Sequence, residues 1–158
     1  MTVSAADFRK ALAQFATGVT VITGRFADGR PAGMTVSAFS SLSLEPPLVL
    51  FCLGKGTSVE GGFIGRSAFT AHVLAEGQDG LSNQFASSRE DRFGDTTWTE
   101  GANGCPLLDG CLARIQCEKH SELDGGDHVI VVGRVVAIDY PVEAKPLVYQ
   151  SGGYRKLA

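Results

Sequence analysis

The chain has 158 residues, 44% of them apolar and 20% charged, with a formal net charge of −3. That length and composition predict one globular domain, residues 1–158, with a real core, and exclude a disordered chain or a second ordinary domain. The acidic balance offers nothing to a nucleic acid, and the longest apolar run, Leu48 to Leu53, is too short to cross a membrane.

Met1 to Asp7 lacks the basic and apolar regions of a secretory leader, so a cytoplasmic location is expected. Ser4 and Asp7 form a short capping pair, and Phe8, Leu12 and Phe15 recur at helical spacing, with Gly18 as the stop. From Val19 the pattern turns to strands. Val19–Thr23 and the stretch after Asp28-Gly29 predict an antiparallel hairpin.

Residues 35–44 read with a period of two. Val36, Ala38, Ser40, Leu42 and Leu44 fall on one face, and Thr35, Ser37, Phe39, Ser41 and Ser43 on the other. A face turned to water normally carries charge, and this one carries none. Hydroxyls around one aromatic suit a flat, neutral ring cofactor. They equally suit an edge strand of β-favouring residues.

Pro46-Pro47 forces a turn before the apolar strand Leu48–Leu53. The polar turn Gly54-Lys55-Gly56-Thr57-Ser58 can cradle a phosphate or be an ordinary turn, and it lacks Walker A spacing. An irregular or briefly helical piece to Gly65 and a strand from Phe69 to Glu76 follow. Residues 77–109 are the least strand-like, with a short helix predicted inside Leu81–Phe93 ending near Gly94 and a solvated charged face at Arg89 to Arg92.

Two long strands are predicted, Cys111–Glu118 with Arg114, Gln116 and Glu118 facing out, and His128–Asp139, apolar on both faces. Four cysteines at 52, 105, 111 and 117 form no C-x-x-C pair and read as reduced, and Cys105, Cys111, Cys117 and His120 lack ordinary zinc spacing, so no metal is expected. His128, at a strand entry beside a glycine turn, can titrate near neutrality and orient a substrate or donate a proton. The tail Pro146–Leu157 carries two tyrosines and is expected to dock near a site or a dimer seam. No nucleophile triad, carboxylate pair or G-x-G-x-x-G after a strand is present, so hydrolase and Rossmann readings fail. Antiparallel strands with one capping helix predict a mainly β protein, a closed or split β-barrel with flanking helices.

The segments Phe15–Thr23, Gly33–Ser43 with Pro46-Pro47-Leu48, Asn83–Ala86, Gly126-Asp127-His128 with Val132–Val135, and Pro146–Tyr149 with Gly153-Tyr154 share one order and spacing. Through them the chain resembles the short-chain flavin reductase family, FMN-binding split barrels that serve two-component monooxygenases. The resemblance implies a homodimer with the flavin, FMN or FAD, near the subunit contact. It implies that Met34, Thr35, Val36 and Ser37 flank the isoalloxazine, with Ser40 and Ser41 near the ribityl chain. Cys52, Leu53, Lys55 and Ser58 would reach the ribityl and phosphate groups, and Ala86 and Ser87 would close the far side. His128, the candidate catalytic residue, would contact NADH or NADPH with Tyr154 and Arg155. Gln150-Ser151 stand where the family often carries a basic residue. Reduced flavin would pass to a partner monooxygenase. The alternatives are a flavin-binding electron carrier that does not oxidise nicotinamide and a structural β-barrel dimer without cofactor.

Overall fold

A computed structural model describes residues 2–158. Helix α1 spans Ala5–Leu12, and the Ser4 hydroxyl accepts the Asp7 amide at 3.0 Å, as the capping pair predicts. Twelve strands follow: β1 Thr17–Gly18, β2 Thr20–Arg25, β3 Pro31–Val36, β4 Phe39–Ser43, β5 Leu48–Gly54, β6 Ala68–Val73, β7 Trp98–Glu100, β8 Pro106–Leu108, β9 Ala113–Gly125, β10 His128–Asp139, β11 Val148–Gln150 and β12 Gly153–Arg155. A second helix, α2, covers Asp79–Ala86, and a single 3-10 turn covers Glu60–Gly62.

The fold is mainly β. Seven strands form one antiparallel sheet in the order β3-β2-β6-β9-β10-β5-β4. Its two outermost strands, β3 and β4, are consecutive in the chain and joined only by Ser37-Ala38. Three peptide links span at most about 11 Å, so the sheet must curl until its edges meet at that end. The predicted hairpin is β2–β3, with Thr20 opposite Val36.

Strand β2 lies between two cores, as its alternation requires. Ile22 packs with Val36, Phe51, Leu53, Phe63, Phe69 and Val131 inside the curl. Val19 and Val21 turn the other way, onto Leu74, Phe85, Phe93, Leu108 and Leu147. The second cluster seats α2 and the excursion from 77 to 109 against the sheet, and so fixes the elements around β3.

The expected continuous strand 35–44 is instead two strands. The break at Ser37-Ala38 and a register shift between Ser41 and Ser43 change the phase of the alternation. Leu42 and Leu44, expected to share a buried face with Val36, are therefore exposed. Helix α2 also ends earlier than expected: Ser87 is extended and its hydroxyl donates back to the Gln84 carbonyl at 2.7 Å, which competes with another helical turn. In β9 only Glu118 of the three residues expected outside is exposed. Gln116 is buried under the excursion, accepting the Asn103 amide at 3.3 Å, and Arg114 pairs with Asp139. Strand β9 runs on to Gly125 because its polar second half pairs with β10 rather than with a core.

Helix α1 ends at Leu12, short of the expected stop at Gly18, and buries none of its residues: Phe8 and Leu12 are each 56% exposed, and Phe15, just beyond the helix, is 76% exposed. Val136, Ile138 and Tyr140, at the far end of β10, are also exposed, where β5 no longer covers that strand.

Candidate functional site

The site grows from the Ser37-Ala38 junction between the sheet's edges. The Cys52 amide donates to the Ala38 carbonyl at 3.0 Å and stitches the junction to β5. Ser37, Ser40 and Ser41 stand exposed along it without a charged neighbour in sequence from Thr35 to Leu44. This brings the Thr35–Ser41 stretch beside Cys52, which the family resemblance assigns to the same ligand. Cys52 is half-buried on the outward face of β5.

Two expected members cannot offer side chains. Val36 and Leu53 point into the core, since they occupy the inward phase of β3 and β5. Only their backbone can face a ligand. Met34 and Thr35 are half-buried, and the Thr35 hydroxyl donates to the Ser82 carbonyl of α2 at 2.6 Å. Thr35 thus fixes α2 against the edge strand. Gly33 explains how closely the two approach: a Cβ there would lie 2.5 Å from Phe85 Cε1.

A cavity of about 680 Å³ opens beside this edge. Pro31 to Gly33, Ser58, Val59 and the segment Ser88–Phe93 line it. It places Ser58 opposite the residues that follow Ala86 and Ser87, which end α2. Arg92, expected in a solvated face, is half-buried here and donates to the carbonyls of Gly33 at 3.0 Å and Phe85 at 3.1 Å. The only hint in the sequence is Phe93 beside it, which draws its neighbours inward.

Lys55 does not extend over the strand end. Its ammonium donates to Asp124 Oδ1 at 2.5 Å and to the Gly126 carbonyl at 2.7 Å. The amide of Gly56, in the expected phosphate cradle, is taken by the Glu60 carboxylate at 2.8 Å. A carboxylate there disfavours an anion at that amide.

His128 opens β10, opposite Gly54 of β5. Its Nδ1 lies 2.7 Å from Asp127 Oδ1, and that contact holds the Asp127 carboxyl below the usual carboxylate range. Nε2 lies beside Gly54 at the end of β5 and has no hydrogen-bond partner among the described residues. Tyr154 is elsewhere: its hydroxyl sits 2.8 Å from both Ser82 Oγ and Asn83 Oδ1, which docks the β11–β12 hairpin on α2. Arg155 is exposed. The expected nicotinamide set is thereby divided within one chain, with His128 at the start of β10 and Tyr154 in β12, its hydroxyl tied to α2. The roles of Asp124 and Arg92 escaped the sequence reading because each acts through a partner set by the fold.

Residues 12–158 match the family model described as flavin reductase like domain. The chain is 46% identical over 148 residues to "Flavin-dependent monooxygenase, reductase subunit HsaB" of Rhodococcus jostii, covering 93% of this chain and 75% of that one. It is 41% identical over 146 residues to "Probable flavin reductase" of Rhizobium meliloti, covering 92% of this chain but only 47% of the relative, so it spans about half of that protein. Among solved structures, the Streptomyces globisporus NADH:FAD oxidoreductase SgcE6 in complex with NAD and FAD fragments superposes with a TM-score of 0.91 at 34% identity, covering 97% of this chain and 92% of that one. On the match across residues 12–158, together with this fold, the chain belongs to the flavin reductase-like family.

Proposed function

We propose that this chain is an NAD(P)H-dependent flavin reductase that supplies reduced FMN or FAD to a partner monooxygenase. The observation that carries the reading is the uncharged, hydroxyl-bearing junction Thr35–Ser41 where the sheet's edges meet, in a chain of this family. Neutral hydroxyls and backbone groups fit a ring whose edge carries carbonyl and N–H groups. When bound, flavin supplies the chemistry, accepting hydride from the nicotinamide of NADH or NADPH.

The chain's own part is to bind and orient. Ser37, Ser40 and Ser41 offer hydroxyls, and the backbone of Thr35 to Ala38 offers groups that can meet charge developing on the ring. Ala86, Ser87 and Ser58 bound the berth on the side of α2. His128 presents Nε2 to the nicotinamide nucleotide. Weak, uncharged contacts suit a ligand that must arrive and leave.

The assembly proposed is a homodimer of split barrels, each chain one domain. Its support is the uncovered Phe8 and Leu12 of α1 with Phe15 just beyond it, and the exposed Val136, Ile138 and Tyr140. In the dimer proposed, the flavin lies near the subunit contact, and Tyr154 or Arg155 of one chain is assigned to the same nicotinamide as His128 of the other. The working compartment proposed is the cytoplasm; among the described residues no helix is long and apolar enough to cross a membrane.

The test is a titration of FMN and FAD with NADH and NADPH, following nicotinamide oxidation. Flavin-dependent oxidation that falls on His128→Ala supports the reading. Flavin binding without nicotinamide oxidation by the wild type would make the chain an electron carrier instead.

A further inference from the structure

We infer that Lys55 and Asp124 are positioning residues that hold His128 in place, so that a surface ion pair sets affinity for the nicotinamide nucleotide. This rests on the reading of His128 as the nicotinamide contact.

The tip of the β9–β10 hairpin is held by the backbone pairing of His128 with Gly125 and Gly54 and, at its base, by the Glu122 carboxylate, which accepts the Gly65 amide at 2.8 Å. Residues 122–128 are all exposed, and the loop passes through Gly125 and Gly126, the latter at φ +79, a conformation that favours glycine. No core side chain anchors this tip. Residue 55 supplies the anchor three times: its amide donates to the Asp127 carbonyl at 3.0 Å, and its ammonium to Asp124 Oδ1 and the Gly126 carbonyl at 2.5 and 2.7 Å. Those bonds bracket Asp127, whose carboxylate meets His128 Nδ1 at 2.7 Å.

The chain of causes is short. Lys55 fixes Asp124 and Gly126, the fixed loop holds Asp127, and the Asp127 carboxylate accepts a hydrogen bond from Nδ1–H, which leaves His128 Nε2 as the ring nitrogen with a free lone pair. That Nε2 lies by the end of β5, where a Cβ on Gly54 would meet it at 3.8 Å, an ordinary contact. An exposed ion pair of this kind adds little to global stability. Its consequence lies in preorganisation, since a loop that must be ordered on binding lowers affinity by the cost of ordering it. With its ammonium held by the loop, Lys55 acts on the nicotinamide side, not on the flavin phosphate.

The experiment compares Lys55→Met, Lys55→Arg, Asp124→Asn and His128→Ala with the wild type. Nicotinamide oxidation is measured at saturating flavin, flavin dissociation constants by fluorescence quenching, and thermal stability by calorimetry. Expected for Lys55→Met and Asp124→Asn is a rise in KM for NADH of about five- to tenfold, larger than any fall in kcat, with flavin affinity and Tm retained. Lys55→Arg, which keeps the charge and donors, should recover most of the KM. Weakened flavin binding in Lys55→Met with KM for NADH unchanged would overturn the inference and return Lys55 to the flavin phosphate. Wild-type KM in Lys55→Met and Asp124→Asn beside a responsive His128→Ala would overturn it alone, whereas wild-type KM in His128→Ala would remove the reading beneath it.

Discussion

His72 should make this protein lose stability on mild acidification, and the structure sets the size of the effect. The imidazole is fully buried in β6. Its Nδ1 lies 3.0 Å from the Val21 carbonyl, and its Nε2 lies 3.0 Å from the Leu108 amide, whose hydrogen it accepts. One tautomer satisfies both partners, with the proton on Nδ1. A second proton on Nε2 would face the Leu108 N–H, and no acceptor is there to meet it. Burial is the largest cause, followed by the Val21 bond, which opposes it, and by Arg114 and Asp139 acting in opposite directions. Together they lower the ring's pKa from 6.5 to about 4. The unfolded chain binds this proton near pH 6.5 and the folded chain only near pH 4. The stability it contributes is therefore complete above pH 6.5, falls as the pH drops through that window, and is gone below about pH 4. A tenfold difference in proton affinity between the folded and unfolded chains is worth about 1.4 kcal/mol, so the whole loss is about 3 kcal/mol. Urea unfolding at fixed protomer concentration, between about pH 7 and about pH 4, should show this loss in the wild type. In His72→Gln, whose amide can still donate to Val21 and accept from Leu108 but does not titrate in this range, that part of the slope should vanish. Parallel profiles for the two proteins would refute the reasoning.

Gly33→Ala should destabilise the protein by about 1–3 kcal/mol and weaken flavin binding, because the new methyl meets the Phe85 ring that seats α2 on the edge strand; denaturation curves and flavin titration of one preparation would check both. Replacing Phe8 and Phe15 together by Glu should convert a dimer to a monomer in sedimentation while far-ultraviolet dichroism stays unchanged, and an unaltered mass would show that α1 and the turn after it do not form the contact. A thiol reagent should modify one cysteine per native chain, Cys52. Burial pushes Cys105 and Cys111 up to about 11 and Cys117 up to about 12, so these three should react only on unfolding.

Much of the scaffold was legible because its signals are local. The Ser4–Asp7 cap, the Asp28-Gly29 turn of the β2–β3 hairpin, the apolar run of β5 and the strand beginning at His128 each depend on residues within a few positions of one another. The hydroxyl-rich stretch was recognisable for the same reason. Its geometry was not, since a period of two runs on along the chain through a break and a bulge that only strand pairing reveals.

What tertiary structure decided are the pairings of distant groups. Lys55 finds Asp124 across 69 residues, Thr35 finds Ser82 across 47, and Tyr154 finds the same helix across 72. Nothing at either end of such a pair announces the other, because the contact exists only once the sheet has curled and α2 has docked. Composition and periodicity thus determined the longer strands β2, β5, β6, β9 and β10 and that an uncharged face exists. The register of β3, β5 and β10 decided which groups on that face are free to bind and which are already spent on holding the fold.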